Sequence, residues 1–129
     1  FVFAPDLTSV PKQGFKGFKF LKNAILPKVE DLGEQSFDKC SCLQNVFVPL
    51  VKRIGGNCFA YCHALSKLCF GNLLELGKAA FYYSYLYNFD CSNVRTVGAA
   101  CFIAVNSIII GRETSFTEQR EYAMFFNVC

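Results

Sequence analysis

NCFAYCHALSKLC, residues 57–69, places three of the chain's eight cysteines and its only histidine in thirteen positions. A cysteine beside a lone histidine admits a metal site, a thiol nucleophile or a disulfide staple. Gly55-Gly56 breaks the chain just before it, and Asn57 is a good helix cap, so the stretch predicts a helix opening at Asn57. At 100° per residue Cys58, Cys62 and Cys69 then fall within about 40° of one another, one stripe on one face. His63 sits about 100° away from Cys62, and adjacent helical residues do not face each other. A Cys–His catalytic pair needs the thiolate within hydrogen-bond reach of the imidazole. The stripe is therefore read as a staple point.

The wider cysteine usage points the same way. Cys40, Cys42, Cys58, Cys62, Cys69, Cys91, Cys101 and Cys129 form an even set, there is no CxxC pair, and one histidine cannot complete repeated zinc ligand sets. A secreted, extracellular, oxidised domain with up to four disulfides is expected, with no metal and no cofactor. Eight cysteines allow 105 pairings, so spacing alone leaves the connectivity open. Phe1 in place of an initiator methionine reads as a processed, mature form. The longest apolar run, Gly98 to Ile110, carries Asn106 and is shorter than the ~18–20 residues of a membrane-spanning helix, so a soluble protein is expected.

Length predicts a single domain over 1–129, and Pro5 and Pro11 make residues 1–10 an extended arm. From there a helix is read to about Ile25, with Phe15, Phe18, Leu21 and Ile25 on one face and Lys12, Lys16 and Lys19 on another. Residues 1–28 carry five lysines against Asp6, a local +4 in a chain of net charge +3. That looks like an arm or a membrane-facing helix, the first reading being a terminal helix that docks its Phe stripe on the core and the second a helix on a membrane surface; a nucleic-acid binder would spread a larger footprint. The helix opening at Asn57 is carried to Ala80. Tyr83, Tyr85 and Tyr87 alternate and suggest a short aromatic β-ribbon around 82–90. Further helices are read from Val94 to Ile110 and, after the capping box at Ser115–Glu118, to Cys129. No internal repeat is read. The expected fold is mostly α, a small disulfide-stapled domain of four or five helices.

The layout resembles one family, the secreted phospholipases A2. FKFLKNAILP (Phe18–Pro27) is similar to the end of their first helix, Cys40-Ser41-Cys42 to their Cys-x-Cys, Cys58 to the cysteine opening their catalytic helix, and Tyr83-Ser84-Tyr85 with Cys91-Ser92 to their aromatic ribbon. The resemblance implies disulfides Cys40–Cys129, Cys42–Cys58, Cys91–Cys101 and Cys62–Cys69. It also implies a non-catalytic member, because Tyr61 and Cys62 stand where the family has its histidine and calcium-binding aspartate, and Ala104 where it has a supporting aspartate.

The functional expectation is accordingly a monomeric, non-enzymatic binder of an apolar small molecule, a lipid, or an anionic membrane surface. Its candidate residues are Lys12, Phe15, Lys16, Phe18, Lys19, Leu21, Tyr83, Tyr85 and Tyr87. The alternative is a secreted protein-interaction effector, such as a toxin, pheromone or host-directed factor, using the tyrosine-rich patch on a protein partner.

Overall fold

The computed structural model describes residues 1–86, 89–103, 105, 108–110, 115–116 and 126–128, with strands 89–91, 108–110, 115–116 and 126–128 described by their backbone. Among the described residues there is no helix. The chain winds as a solenoid of parallel two- and three-residue strands. One sheet stacks β1 (Val2–Phe3), β3 (Asn23–Ile25), β5 (Asn45–Phe47) and β7 (Lys67–Cys69). A second stacks β2 (Ser9–Val10), β4 (Asp31–Leu32), β6 (Arg53–Ile54), β8 (Glu75–Leu76), β10 (Thr96–Val97) and β12 (Ser115–Phe116). A third joins β9 (Phe89–Cys91), β11 (Ile108–Ile110) and β13 (Phe126–Val128).

Register gives the repeat. Val2 pairs with Ala24, Ala24 with Val46 and Val46 with Leu68, each partner 22 residues on. Every coil places equivalent residues in one column along the axis, so a residue type that suits one coil suits the next. In the second sheet Val10, Leu32, Ile54, Leu76 and Val97 point inward and are buried, while Ser9, Arg53, Glu75 and Thr96 point outward. Strand alternation alone produces that division.

The centre is a spine of phenylalanines. Phe15, Phe37, Phe59, Phe81 and Phe102 stack one per coil, with ring centroids 5.2, 5.4, 5.5 and 6.2 Å apart. Offset stacks of this kind contribute about 0.5–1.5 kcal/mol each beyond the area they bury.

What replaces a helix after the second strand is a backbone that bonds alternately within and between coils. Ser36, Asp38 and Cys40 donate N–H three residues back, to Gly33, Gln35 and Phe37. Gln35, Phe37 and Lys39 donate instead to Gly56, Cys58 and Ala60 of the next coil. The alternation holds at least two positions at positive φ in each of the first four coils, among them Gln35 (57°), Asn57 (52°) and Ala79 (55°), then Lys39 (61°), Tyr61 (57°) and Tyr83 (53°). Close approach also selects glycine. A Cβ at Gly33, Gly55, Gly77 or Gly98 would lie 2.4–2.7 Å from backbone of the preceding coil. The first coil has Pro11 at that column, where no earlier described coil lies.

These findings correct the mostly α expectation. Asn57 is a left-handed turn residue, not a helix cap, and 57–80 contains a turn run, β7 and β8. Residues 11–25 form the turn run of the first coil and lead into β3; residues 1–10 supply β1 and β2; the segment from Val94 holds β10. Tyr83 and Tyr85 are not in a ribbon, since their φ of 53° and 59° is incompatible with a strand, and the strand of that stretch among the described residues is β9, which begins at Phe89. The physical reason lies in the spacings within a coil: Phe15, Phe18, Leu21 and Ile25 stand 3, 3 and 4 residues apart and Cys58, Cys62 and Cys69 stand 4 and 7 apart, intervals that imitate one face of a helix although each set runs from a turn run into a strand.

The cysteines follow the coils. Cys40, Cys42, Cys58, Cys62 and Cys69 are free thiols, Cys101 is buried, and the Cys91 side chain and Cys129 lie outside the described residues. Cys40 donates to the Phe15 carbonyl and Cys62 to the Phe37 carbonyl, both at 3.0 Å, and Cys58 Sγ lies 3.0 Å from Ser36 Oγ. Burial pushes the Cys40 thiol up to about 11, the Cys58 thiol to about 12, and the Cys62 thiol higher still. They are core groups, not nucleophiles.

Candidate functional site

Immediately beside the spine, residues two apart in the turn run point outward in two neighbouring columns. One reads Gly17, Lys39, Tyr61, Tyr83; the other reads Lys19, Ser41, His63, Tyr85. Cys40, Cys62 and Ser84 lie buried between them. Backbone bonds from Lys39 to Ala60 and from Tyr61 to Tyr82 lock the coils in that register.

The rings of the third and fourth coils form one surface. Tyr61 stacks on Tyr83 at 6.0 Å and 10°, His63 lies 6.1 Å from Tyr61 and 5.5 Å from Tyr85, and Tyr82 meets Tyr83 edge-on at 4.7 Å. Tyr61, Tyr83 and Tyr85 are 41%, 37% and 45% exposed. Lys19, Lys39, Ser41, Tyr61 and His63 line a shallow pocket of about 370 Å³ at the N-terminal side of these rings. Among the described residues no carboxylate lines it.

Of the residues expected to bind, Lys19, Tyr83 and Tyr85 meet here. The others do not. Lys12 pairs with Glu34 at 3.9 Å, and Lys16 reaches Asp38 at 3.5 Å and Gln35 at 3.3 Å. Phe15 heads the internal spine and Leu21 is buried, while Phe18 packs edge-on against Phe15 at 5.6 Å. Tyr87 lies outside the described residues. The basic amphipathic helix that suggested a membrane surface is thus absent: its lysine stripe is divided between ion pairs and the pocket, and its apolar stripe enters the core. Tyr61, His63 and Lys39 were missed. Their signal was the offset of 22 that sets Tyr61 over Tyr83 and His63 over Tyr85.

Two other faces carry columns of outward side chains. On the first sheet Phe3, Ile25, Phe47 and Cys69 share an outward column beside Asn23 and Asn45, whose amides bond at 2.8 Å. On the second, Arg53 donates to Asp31 at 2.6 Å, with Glu75 above it and Lys52–Glu30 alongside at 3.6 Å. The latter is a mutually neutralised ladder worth little on an exposed face. Among the described residues no group of three or more His, Cys, Asp or Glu side chains could hold a metal ion.

A family model of the BspA-type leucine-rich repeat region matches residues 1–128 in six copies, and the chain belongs to that family. Neither the curated proteins nor the solved structures gave a match. The family and the helix-free solenoid together overturn the phospholipase A2 resemblance, and with it the disulfide pairing it implied and the lipid-like binder built on a helical scaffold. Part of the cysteine pattern follows the repeat, since Cys40 and Cys62 stand 22 residues apart in consecutive coils. Leucine-rich repeats are generally non-enzymatic and commonly mediate protein–protein interaction.

Proposed function

We propose that this BspA-type leucine-rich-repeat chain is a scaffold for binding another protein, with Tyr61, His63, Tyr82, Tyr83 and Tyr85 at the centre of the contact. The observation that carries the reading is the continuous ring cluster on the outside of the third and fourth coils. Tyrosines supply large contact area with few rotatable bonds and are enriched at interface hot spots. Here their backbones are held by coil-to-coil bonds, so little ordering remains to oppose association. The scaffold acts by holding a surface, not by catalysis.

The test is a selection of a displayed peptide library on the folded protein, with each binder re-measured on a Tyr61→Asn/Tyr83→Asn double variant. Asparagine is chosen because it tolerates positive φ. Binders weakened at least tenfold by the double variant support the reading. Binders that ignore it while the variant keeps the wild-type circular dichroism spectrum refute it.

A further inference from the structure

The chemistry of the two columns changes along the solenoid axis, not across it. Coils one and two contribute Lys19, Lys39 and Ser41; coils three and four contribute Tyr61, His63, Tyr83 and Tyr85. Neither Lys19 nor Lys39 has an ion-pair partner among the described residues, whereas Lys12, Lys16, Lys28, Lys52 and Arg53 each have one. The nearest acid in sequence, Asp38, is buried and engaged with Lys16. The pocket end of the surface is therefore doubly cationic and unneutralised, and the other end is a ring platform.

Resting on the protein-binding reading above, we infer that the surface takes an acidic peptide segment laid along the solenoid axis. Its carboxylates lie over Lys19 and Lys39, and a planar or proline ring lies over Tyr61 and Tyr83. Coils are spaced by about 4.8 Å, so the first to the fourth span about 14 Å, roughly four extended residues at about 3.3 Å each. The segment is thus directional, with an acidic pair and a ring-bearing pair separated by two or three residues. A carboxylate there gains two charge-assisted contacts and the Ser41 hydroxyl as a donor. A segment crossing the coils sideways would meet only one of the two chemistries.

The probe is a fluorescein-labelled peptide carrying Glu-Glu followed three residues later by Phe-Pro, with a Gln-Gln version as reference, measured by fluorescence polarisation at low salt. The wild type is expected to bind the Glu peptide at least about fivefold tighter than the Gln peptide, the scale of two partly exposed ion pairs. The advantage shrinks as salt is raised. Lys19→Glu/Lys39→Glu is expected to remove that preference and leave the Gln peptide unchanged, while Tyr83→Asn weakens both peptides. Equal binding of the two peptides, both lost with Tyr83→Asn, would overturn the acidic-segment inference and leave the protein-binding reading standing. Heparin bound through the two lysines, with neither peptide bound, would overturn the inference in favour of a polyanion. Binding that no variant changes would overturn both readings.

Discussion

Replacing Phe59 by alanine removes the central ring of the spine. Phe59 is fully buried and stacks on Phe37 at 5.4 Å and on Phe81 at 5.5 Å. A buried Phe→Ala change costs about 3–5 kcal/mol, and the two lost stacks place this site toward the upper end of that range. Phe15 is only half-buried and has a single spine neighbour, Phe37 at 5.2 Å, so Phe15→Ala should cost about half as much. With a urea m-value of about 1.5 kcal/mol/M, a loss of about 4 kcal/mol lowers the midpoint by about 2.7 M and Phe15→Ala lowers it by about 1.3 M. Urea titrations followed by circular dichroism give both numbers. A double-mutant cycle on Phe37 and Phe59 should return a coupling of about 0.5–1.5 kcal/mol. Equal losses at Phe15 and Phe59, or no coupling between Phe37 and Phe59, would refute a coil-by-coil stack.

Gly77→Ala should destabilise by about 1–3 kcal/mol in the same titration, because its Cβ would meet backbone of the preceding coil at 2.5 Å. A silent Gly77→Ala would contradict the close approach. Ala79→Gly should do the reverse of the usual rule and raise stability by about 0.5–1 kcal/mol, since φ is 55° and the left-handed cost of alanine outweighs the extra chain entropy of glycine. A loss of stability would show that this turn does not hold positive φ. The buried thiols of Cys40 and Cys58 are raised to about 11 and about 12, and that of Cys62 is raised further, so the folded state keeps protons that the unfolded chain loses above pH ~9. Their contribution is full below pH ~9 and falls as pH rises toward 11. The urea midpoint should therefore drop between pH 8 and 10, and the drop should flatten in Cys58→Ala; a midpoint constant over that range would contradict it. With a thiol-labelling reagent at pH 8, Cys40, Cys58 and Cys62 should react only after denaturant is added, and labelling of all three in the native state would contradict their place in the core.

The repeat was present in the sequence at positions that can be named. Phe15, Phe37, Phe59 and Phe81 are 22 residues apart, as are Gly33, Gly55 and Gly77. Two effects concealed it. The spacings of 4 and 7 residues among Cys58, Cys62 and Cys69 lie close to whole helical turns, so they made a convincing helical stripe although they belong to a turn run and a strand. Register also shortens later in the chain, where Asp90 pairs with Ile109 and Ile109 with Asn127, offsets of 19 and 18 that blur a fixed period. The site was legible in part. Tyr83 and Tyr85 stood out as exposed aromatics by composition, and Lys19 as part of a basic run. That Lys39, Tyr61 and His63 join them is a consequence of coil stacking, which becomes visible only when sequence separation of one coil is read as adjacency.

The most direct test is a nuclear Overhauser spectrum of the isotopically labelled protein. Coil stacking predicts amide and Hα contacts between residues one coil apart, such as Ala24 with Val46, Leu32 with Ile54 and Val46 with Leu68. It also predicts no consecutive i to i+3 and i to i+4 Hα–amide series across Asn57 to Cys69. A continuous helical series through that stretch, with the coil-to-coil contacts missing, would contradict it.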